Sequence, residues 1–190
     1  MPADAAGFVV PGLPAPAEPG RYAVAFVCTG NICRSPSAEV VLAARLAEAG
    51  LDDRVHLASC GLGDWHVGQP MDERSARHLR GAGYDPDGHR ARQVDRSWLE
   101  RFDVLLAMDR GHLAGLDRLG DAGPGQVRLF REFDPVDTGE DTPDPYYGGE
   151  TGFSEVLTMV ERTCEQLLVA LRRTLDPSAP PDGPGPTPAP

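Results

Sequence analysis

The chain has 190 residues, 41% of them hydrophobic, which suffices for one domain with a sizeable core. Its formal net charge of −11 disfavours nucleic acid as the main partner. All eighteen Lys+Arg positions are arginine, which excludes a lysine-bearing nucleotide phosphate loop and Schiff-base chemistry. With so much Ala, Gly and Pro, that usage fits a high-GC bacterial genome. No apolar run approaches membrane-spanning length, so no membrane partner is expected. The first residues lack a basic start followed by an apolar stretch, which is not a secretory signal and points to the cytoplasm.

Residues 1–20 are rich in Pro, Ala and Gly and are expected to form a disordered tail. Tyr22–Val27 reads as a strand, and Ser35–Ala49 as a helix stopped by Gly50. Arg54–Ser59 reads as a second strand, followed by a glycine-rich loop carrying Trp65. Met71–Arg80 and Val94–Arg101 read as helices, and the apolar run Asp103–Met108 as a third strand. Arg110–Leu119 is a further helix and Val127–Phe130 a fourth strand. A long polar loop, Glu132–Thr151, precedes a closing amphipathic helix, Gly152–Leu175. Residues 176–190 are again Pro-rich and are expected to be disordered, which leaves residues 21–175 as the domain. Strands alternating with helices predict a parallel α/β sheet covered on both faces. In such sheets ligands bind at the carboxyl ends of strands.

The stretch Val27-Cys28-Thr29-Gly30-Asn31-Ile32-Cys33-Arg34-Ser35-Pro36 lies at such an end, between the first strand and the first helix. Backbone N–H groups point outward at a helix N-terminus, and the helix dipole favours negative charge there. Gly30 and Asn31 tolerate the backbone turns that aim successive N–H groups inward. Arg34 offers a planar fork suited to two oxygens of a phosphoryl group, and Ser35 can donate to a Cys28 thiolate. The same environment that binds an oxyanion favours the ionised, nucleophilic form of a cysteine. Ser35 and Pro36 also read as an ordinary helix entry, which is compatible with the site.

The cysteines are Cys28, Cys33, Cys60 and Cys164, without zinc-site spacing, so no metal and no cofactor is expected. Cys60 and Cys164 read as small buried residues. His66, His78 and His112 read as surface residues.

The stretch VCTGNICRSPSAE resembles the signature of the low-molecular-weight protein tyrosine phosphatases. Asp64-Trp65-His66-Val67-Gly68, His89-Arg90-Ala91-Arg92-Gln93, Ala107-Met108-Asp109 and Asp144-Pro145-Tyr146-Tyr147-Gly148 match the family in the same order, over roughly residues 22 to 175. The resemblance implies a four-stranded parallel sheet ordered 2-1-3-4 with helices on both faces, and tyrosine-phosphorylated proteins as substrates. It implies Cys28 as nucleophile, Arg34 as phosphate clamp and Asp144 as general acid and base. Thr29, Gly30, Asn31, Ile32, Cys33 and Ser35 would complete the phosphate loop. Trp65, Tyr146 and Tyr147 would wall a slot for the aryl ring. Ser59, His89 and Asn31 match the network behind the loop, and Asp109 the carboxylate that orients Arg34. Cys33 would close a disulfide with Cys28 under oxidation and protect it. On local sequence alone Asp144 is a turn residue ahead of Pro145. A monomer is expected.

Three other readings stay open. A thiol-dependent arsenate reductase of this fold needs further redox cysteines, and none lies between Cys60 and Cys164. A protein-arginine phosphatase carries Thr where this chain has Ile32 and lacks the tyrosine pair. A phosphate-binding module would have no use for all three catalytic residues.

Overall fold

A computed structural model describes residues 7–177. Four parallel strands, β1 (Tyr22–Cys28), β2 (Val55–Gly61), β3 (Val104–Ala107) and β4 (Val127–Leu129), form one sheet. Its order is β2-β1-β3-β4, as the resemblance implies. Parallel neighbours need crossovers, supplied by α1 (Arg34–Ala49), α2 (Glu73–Gly81), α3 (Ser97–Arg101) and α4 (Arg110–Asp117), with α5 (Glu150–Leu175) closing the domain.

Central β1 is buried on both faces, so its residues feed two cores by simple alternation. Val24, Phe26 and Cys28 join one with Val41, Leu42, Leu46, Val160, Leu167 and Leu171. Ala25 and Val27 join the other with Trp98, Phe102 and Leu116. Phe26 meets Phe130 edge to face, with ring centroids 5.6 Å apart. Cys60 and Cys164 are sealed in these cores, as small apolar residues would be. α1 stops at Gly50, which takes the left-handed φ of 66° that ends helices readily.

Several element boundaries differ from the sequence pattern, each for a local reason. Asp72 accepts a hydrogen bond from Arg74 N, so α2 starts at Glu73 rather than Met71. Asp95 accepts from Ser97 N, which delays α3 to Ser97. β2 runs on to Gly61 because its pairing with β1 continues through Cys28. Phe130 leaves the sheet for a 3₁₀ turn, Phe130–Phe133.

Residues 7–20 are a correction to the expected disordered tail. They form an extended strap towards the strands' N-terminal ends. Val10 and Leu13 pack against the first core. Gly12 O accepts from Arg128 Nη1 (2.6 Å), Pro14 O from the Tyr22 hydroxyl (3.1 Å), and Ala17 N donates to Asp103 (2.7 Å). Average composition hides two apolar anchors and three fixed polar partners, and prolines lower the entropy lost on ordering. Residues 1–6 and 178–190, which carry the rest of the tail expectations, lie outside the described residues.

The loop that follows the Phe130–Phe133 turn is riveted by charge. Asp134 is fully buried and accepts from Arg131 Nε (2.8 Å), Arg162 Nε (2.8 Å), Arg162 Nη2 (2.7 Å) and Val136 N (2.9 Å). Burial opposes its ionisation, but the Arg162, Val136 and Arg131 hydrogen bonds prevail and bring its pKa down to about 2. Asp137 bridges both arginines, and Arg131 Nη1 donates to Asp141 O (2.8 Å). The long polar segment is thereby folded back towards the end of β1.

Deleting residues 1–17 should lower the free energy of unfolding by about 1–3 kcal/mol, from two partly buried apolar side chains and three anchoring hydrogen bonds less the ordering cost. Urea unfolding of the truncated and full chains checks this. Equal midpoints would mean that the strap contributes nothing.

Candidate active site

Cys28 ends β1, and Thr29–Cys33 turn into α1. Asn31 is the one described non-glycine residue with positive φ, 56°. Its side chain explains how that conformation is held. Nδ2 donates to Ser35 Oγ (2.9 Å) and Ser59 Oγ (2.8 Å), while Oδ1 accepts from Arg92 N (2.8 Å). His89 Nε2 donates to Asn31 O (2.8 Å) and braces the same residue from behind. The outcome is that Asn31 N points at Cys28 Sγ (3.3 Å), and Ser35 Oγ donates to the same sulfur (3.0 Å). A buried sulfur with two donors, at the N-terminal end of a sixteen-residue helix, sits where negative charge is favoured.

The turn after β2 clasps the loop: Leu62 N donates to Cys28 O and Gly63 N to Thr29 O, both at 2.9 Å. Gly61 must be glycine here, since a Cβ would stand 2.7 Å from Thr29 O. Gly63 leaves room for the Trp65 indole, which would otherwise overlap a side chain at that position.

Arg34 is only 4% exposed, so its charge needs partners. Nη1 donates to Asp109 Oδ2 (2.9 Å) and Thr142 O (3.0 Å). Nη2 donates to Asp144 Oδ2 (2.9 Å) and lies 3.5 Å from Thr29 Oγ1. Asp109 also caps α4 by accepting from His112 N (2.9 Å). Asp144 likewise has two tasks: its Oδ1 accepts from Tyr146 N (3.1 Å) and opens the 3₁₀ turn Pro145–Tyr147.

Cys28, Thr29, Gly30, Ile32, Cys33, Arg34, Trp65, His66, Asp144, Tyr146 and Tyr147 line one cavity of about 260 Å³. The loop, the arginine, the distant aspartate and the three aromatic residues expected from sequence thus converge. Ser35, Ser59, His89 and Asp109 stand directly behind. Trp65 and Tyr147 are 67% and 89% exposed, so the aromatic walls form an open mouth. Arg74 steadies Tyr146 by lying 5.2 Å over its ring and donating to its carbonyl (3.1 Å). A recess of about 800 Å³ lies at the other end of the sheet, beside the strap. It is larger, but mixed-sign side chains line it and no cysteine does.

Three histidines depart from the surface expectation. His112 is buried, because the Asp109 cap turns it beneath the loop. His66 is half-buried against Gly30, where its ring would meet a Cβ at 2.8 Å. His78 stacks on Phe153 at 5.8 Å. Glu39 and Thr142 were not singled out in the sequence, although Glu39 accepts from Ser59 Oγ (2.5 Å) and Thr142 supplies a carbonyl to Arg34. Glu39 lies one helical turn after Ser35, a spacing that could have revealed it. Burial lowers the His89 pKa, and Cys33 is pushed up to about 12, chiefly by burial. Among the described residues no cluster of three His, Cys, Asp or Glu is arranged to hold a metal ion, and no helix is long and apolar enough to cross a membrane.

A cysteine and an arginine framing a helix-entry loop, at the carboxyl end of a parallel sheet, define an oxyanion-binding α/β protein. Residues 23–176 match the model of the family described as low molecular weight phosphotyrosine protein phosphatase. The chain is 48% identical over 159 residues to a Streptomyces coelicolor low molecular weight protein-tyrosine-phosphatase, covering 82% of this chain and 96% of that protein. It is 48% identical over 140 residues to low molecular weight protein-tyrosine phosphatase A of Mycobacterium tuberculosis, covering 73% and 84%. The crystal structure of a protein tyrosine phosphatase from Entamoeba histolytica superposes with a TM-score of 0.76 at 34% identity, covering 80% of this chain and 97% of that one. The chain belongs to the low-molecular-weight protein tyrosine phosphatase family and is a protein-tyrosine-phosphatase. The strap of residues 7–20 lies outside the matched span.

The histidines make stability depend on pH. His112 is lowered from 6.5 to about 4, chiefly by burial, with Arg34 adding to the shift and Asp109 opposing it. His89 is shifted the same way. Between those values the unfolded chain binds more protons than the native one, so stability is full above pH 6.5 and falls as pH drops towards 4. Asp134 acts lower: its contribution, whole above 3.8, is lost as pH falls through about 2. Urea unfolding across pH 7 to 4 should show this decline, with a shallower slope in His112→Gln. A flat profile, or one rising on acidification, would contradict it.

Proposed function

We propose that this phosphatase hydrolyses phosphotyrosine on proteins without a metal, through a phosphocysteine at Cys28. The observation that carries the reading is the convergence on one cavity of Cys28 Sγ with its two donors, the Arg34 fork, and Asp144 2.9 Å from that fork. The Cys28 thiolate attacks phosphorus in line with the aryl oxygen. As the S–P bond forms, the P–O bond to the ring breaks and Asp144 gives its proton to the departing phenolate. Arg34 and the N–H groups of residues 29–34 hold the charge spread over the equatorial oxygens. Water then attacks the phosphocysteine, Asp144 takes its proton, the S–P bond breaks, and phosphate and the thiolate are restored.

Trp65, Tyr146 and Tyr147 line the mouth of the cavity, on either side of the space an aryl ring would fill with its phosphoryl group at Cys28. A phosphoserine side chain is too short to span such a slot, so depth favours phosphotyrosine. Burial of Cys60 and Cys164 in separate parts of the core speaks against a thiol relay for arsenate reduction. Cys33 lies in the same loop as Cys28, buried and free, and is the partner we assign to Cys28 under oxidation.

Asp144→Ala is the most searching variant, because its role depends on a loop far from Cys28 in sequence. Its kcat should fall by about 10²–10⁴-fold with aryl phosphates of ordinary leaving group. The loss should shrink as the leaving group improves, since a stable phenolate needs less protonation. Equal losses across a leaving-group series would mean that Asp144 only shapes the loop.

A further inference from the structure

We propose that His112, acting through the Thr29 hydroxyl, is a positioning residue for the Arg34 phosphate clamp. The inference rests on the phosphatase reading and deepens it. A polar chain runs from Asp109 through His112 and Thr29 to Arg34, and Asp109 closes it by pairing with the other nitrogen of the same guanidinium. His112 Nε2 lies 2.8 Å from Thr29 Oγ1, and its Nδ1 lies 3.0 Å from Asp109 Oδ1.

A neutral imidazole carries one N–H. With Nδ1 bare, its lone pair would face a carboxylate oxygen at 3.0 Å, which is repulsive. The proton therefore belongs on Nδ1, directed at Asp109, although the angle falls outside good hydrogen-bond geometry. Nε2 is then an acceptor, and the Thr29 hydroxyl donates a hydrogen bond to it. That fixes the rotor. The lone pairs of Oγ1 are left facing Arg34 Nη2, 3.5 Å away.

Nη2 has two hydrogens, and Asp144 takes one at 2.9 Å in the described arrangement. A phosphoryl group in the loop must win that hydrogen. Thr29 then holds the second, while Asp109 and Thr142 hold Nη1. The fork is restrained at both ends, and its plane is set before the charge of the transition state develops. Thr29 itself is exposed at the mouth and fills no core, so its side chain has little to do for packing.

Thr29→Val keeps the shape and removes the hydroxyl at an exposed position where no core side chain is lost, and urea unfolding separates the cost of the unpaired His112 from the effect on kcat. With phosphotyrosine peptide and 4-nitrophenyl phosphate, kcat should fall about tenfold while KM changes less, because a tilted fork still attracts the anion. Thr29→Ser restores the hydroxyl and should return most of that loss. In a double-mutant cycle, Thr29→Val with His112→Leu should be no slower than the slower single variant, since both remove one chain of contacts. Wild-type kcat in Thr29→Val, or fully additive losses in the cycle, would overturn the proposal and leave Thr29 as a mere partner for a buried imidazole. Wild-type protein that turns over neither substrate would remove the phosphatase reading and this inference with it. Turnover by wild type with an equally fast Thr29→Val removes this inference alone.

Discussion

The site depends on a guanidinium buried at the carboxyl end of a parallel sheet. An arginine so enclosed cannot shed its charge, so the chain must bring polar partners to it from distant segments. Asp109 comes from the turn after β3, Thr142 O and Asp144 from the long polar loop, and Thr29 from the loop at the end of β1. Each has a second structural duty. Asp109 caps α4, Thr142 N donates to Met108 O, Asp144 opens the turn that carries both tyrosines, and Thr29 O anchors Gly63 N. The same residues, through different atoms, hold both the fold and the fork. The approach of an oxyanion acts most directly on Asp144, which shares Nη2 with whatever the loop binds.

The second requirement is a sulfur held among donors. Asn31 adopts its left-handed conformation only because Ser35, Ser59, Arg92 and His89 occupy its polar groups. Its N–H is thereby aimed at Cys28. This local arrangement also reconciles a net charge of −11 with a dianionic substrate. Exposed charges beyond about 10 Å are largely screened at ordinary salt, whereas the N–H groups and Arg34 act at contact distance in a partly enclosed cavity.

The sequence showed best those features whose cause is local. Strand, turn residues and Arg34 lie in one stretch, and each residue's preference agrees with its neighbours', although the helix begins at Arg34 and Ser35 faces Cys28 instead of capping it. Asp144 was different. Asp-Pro reads as a turn, and it is one; that its other carboxylate oxygen reaches Arg34 depends on the Arg131–Asp134–Arg162 cluster, which no local pattern reveals. Only the family resemblance pointed to it. His112 was misread because the eight-residue helix Arg110–Asp117 mixes Gly, Leu and Ala with its few polar residues and is too short to show which side a lone histidine takes. Its burial joins the local Asp109 cap to a contact with Thr29, far away in sequence, which no local pattern shows. The strap was misread because averaging over Pro, Ala and Gly conceals Val10 and Leu13.

The central claim is that Cys28 takes the phosphoryl group while Arg34 holds it. Trapping the intermediate tests this most directly. Asp144→Ala mixed with 4-nitrophenyl phosphate should form the phosphoenzyme readily, because the leaving group needs little help, and should hydrolyse it slowly, because the base is gone. Acid quenching within the first turnover, followed by mass spectrometry of the peptides, should find a phosphoryl group on Cys28. Release of 4-nitrophenol in a full first turnover with Cys28 unmodified, or with the phosphoryl group on another side chain, would contradict the account.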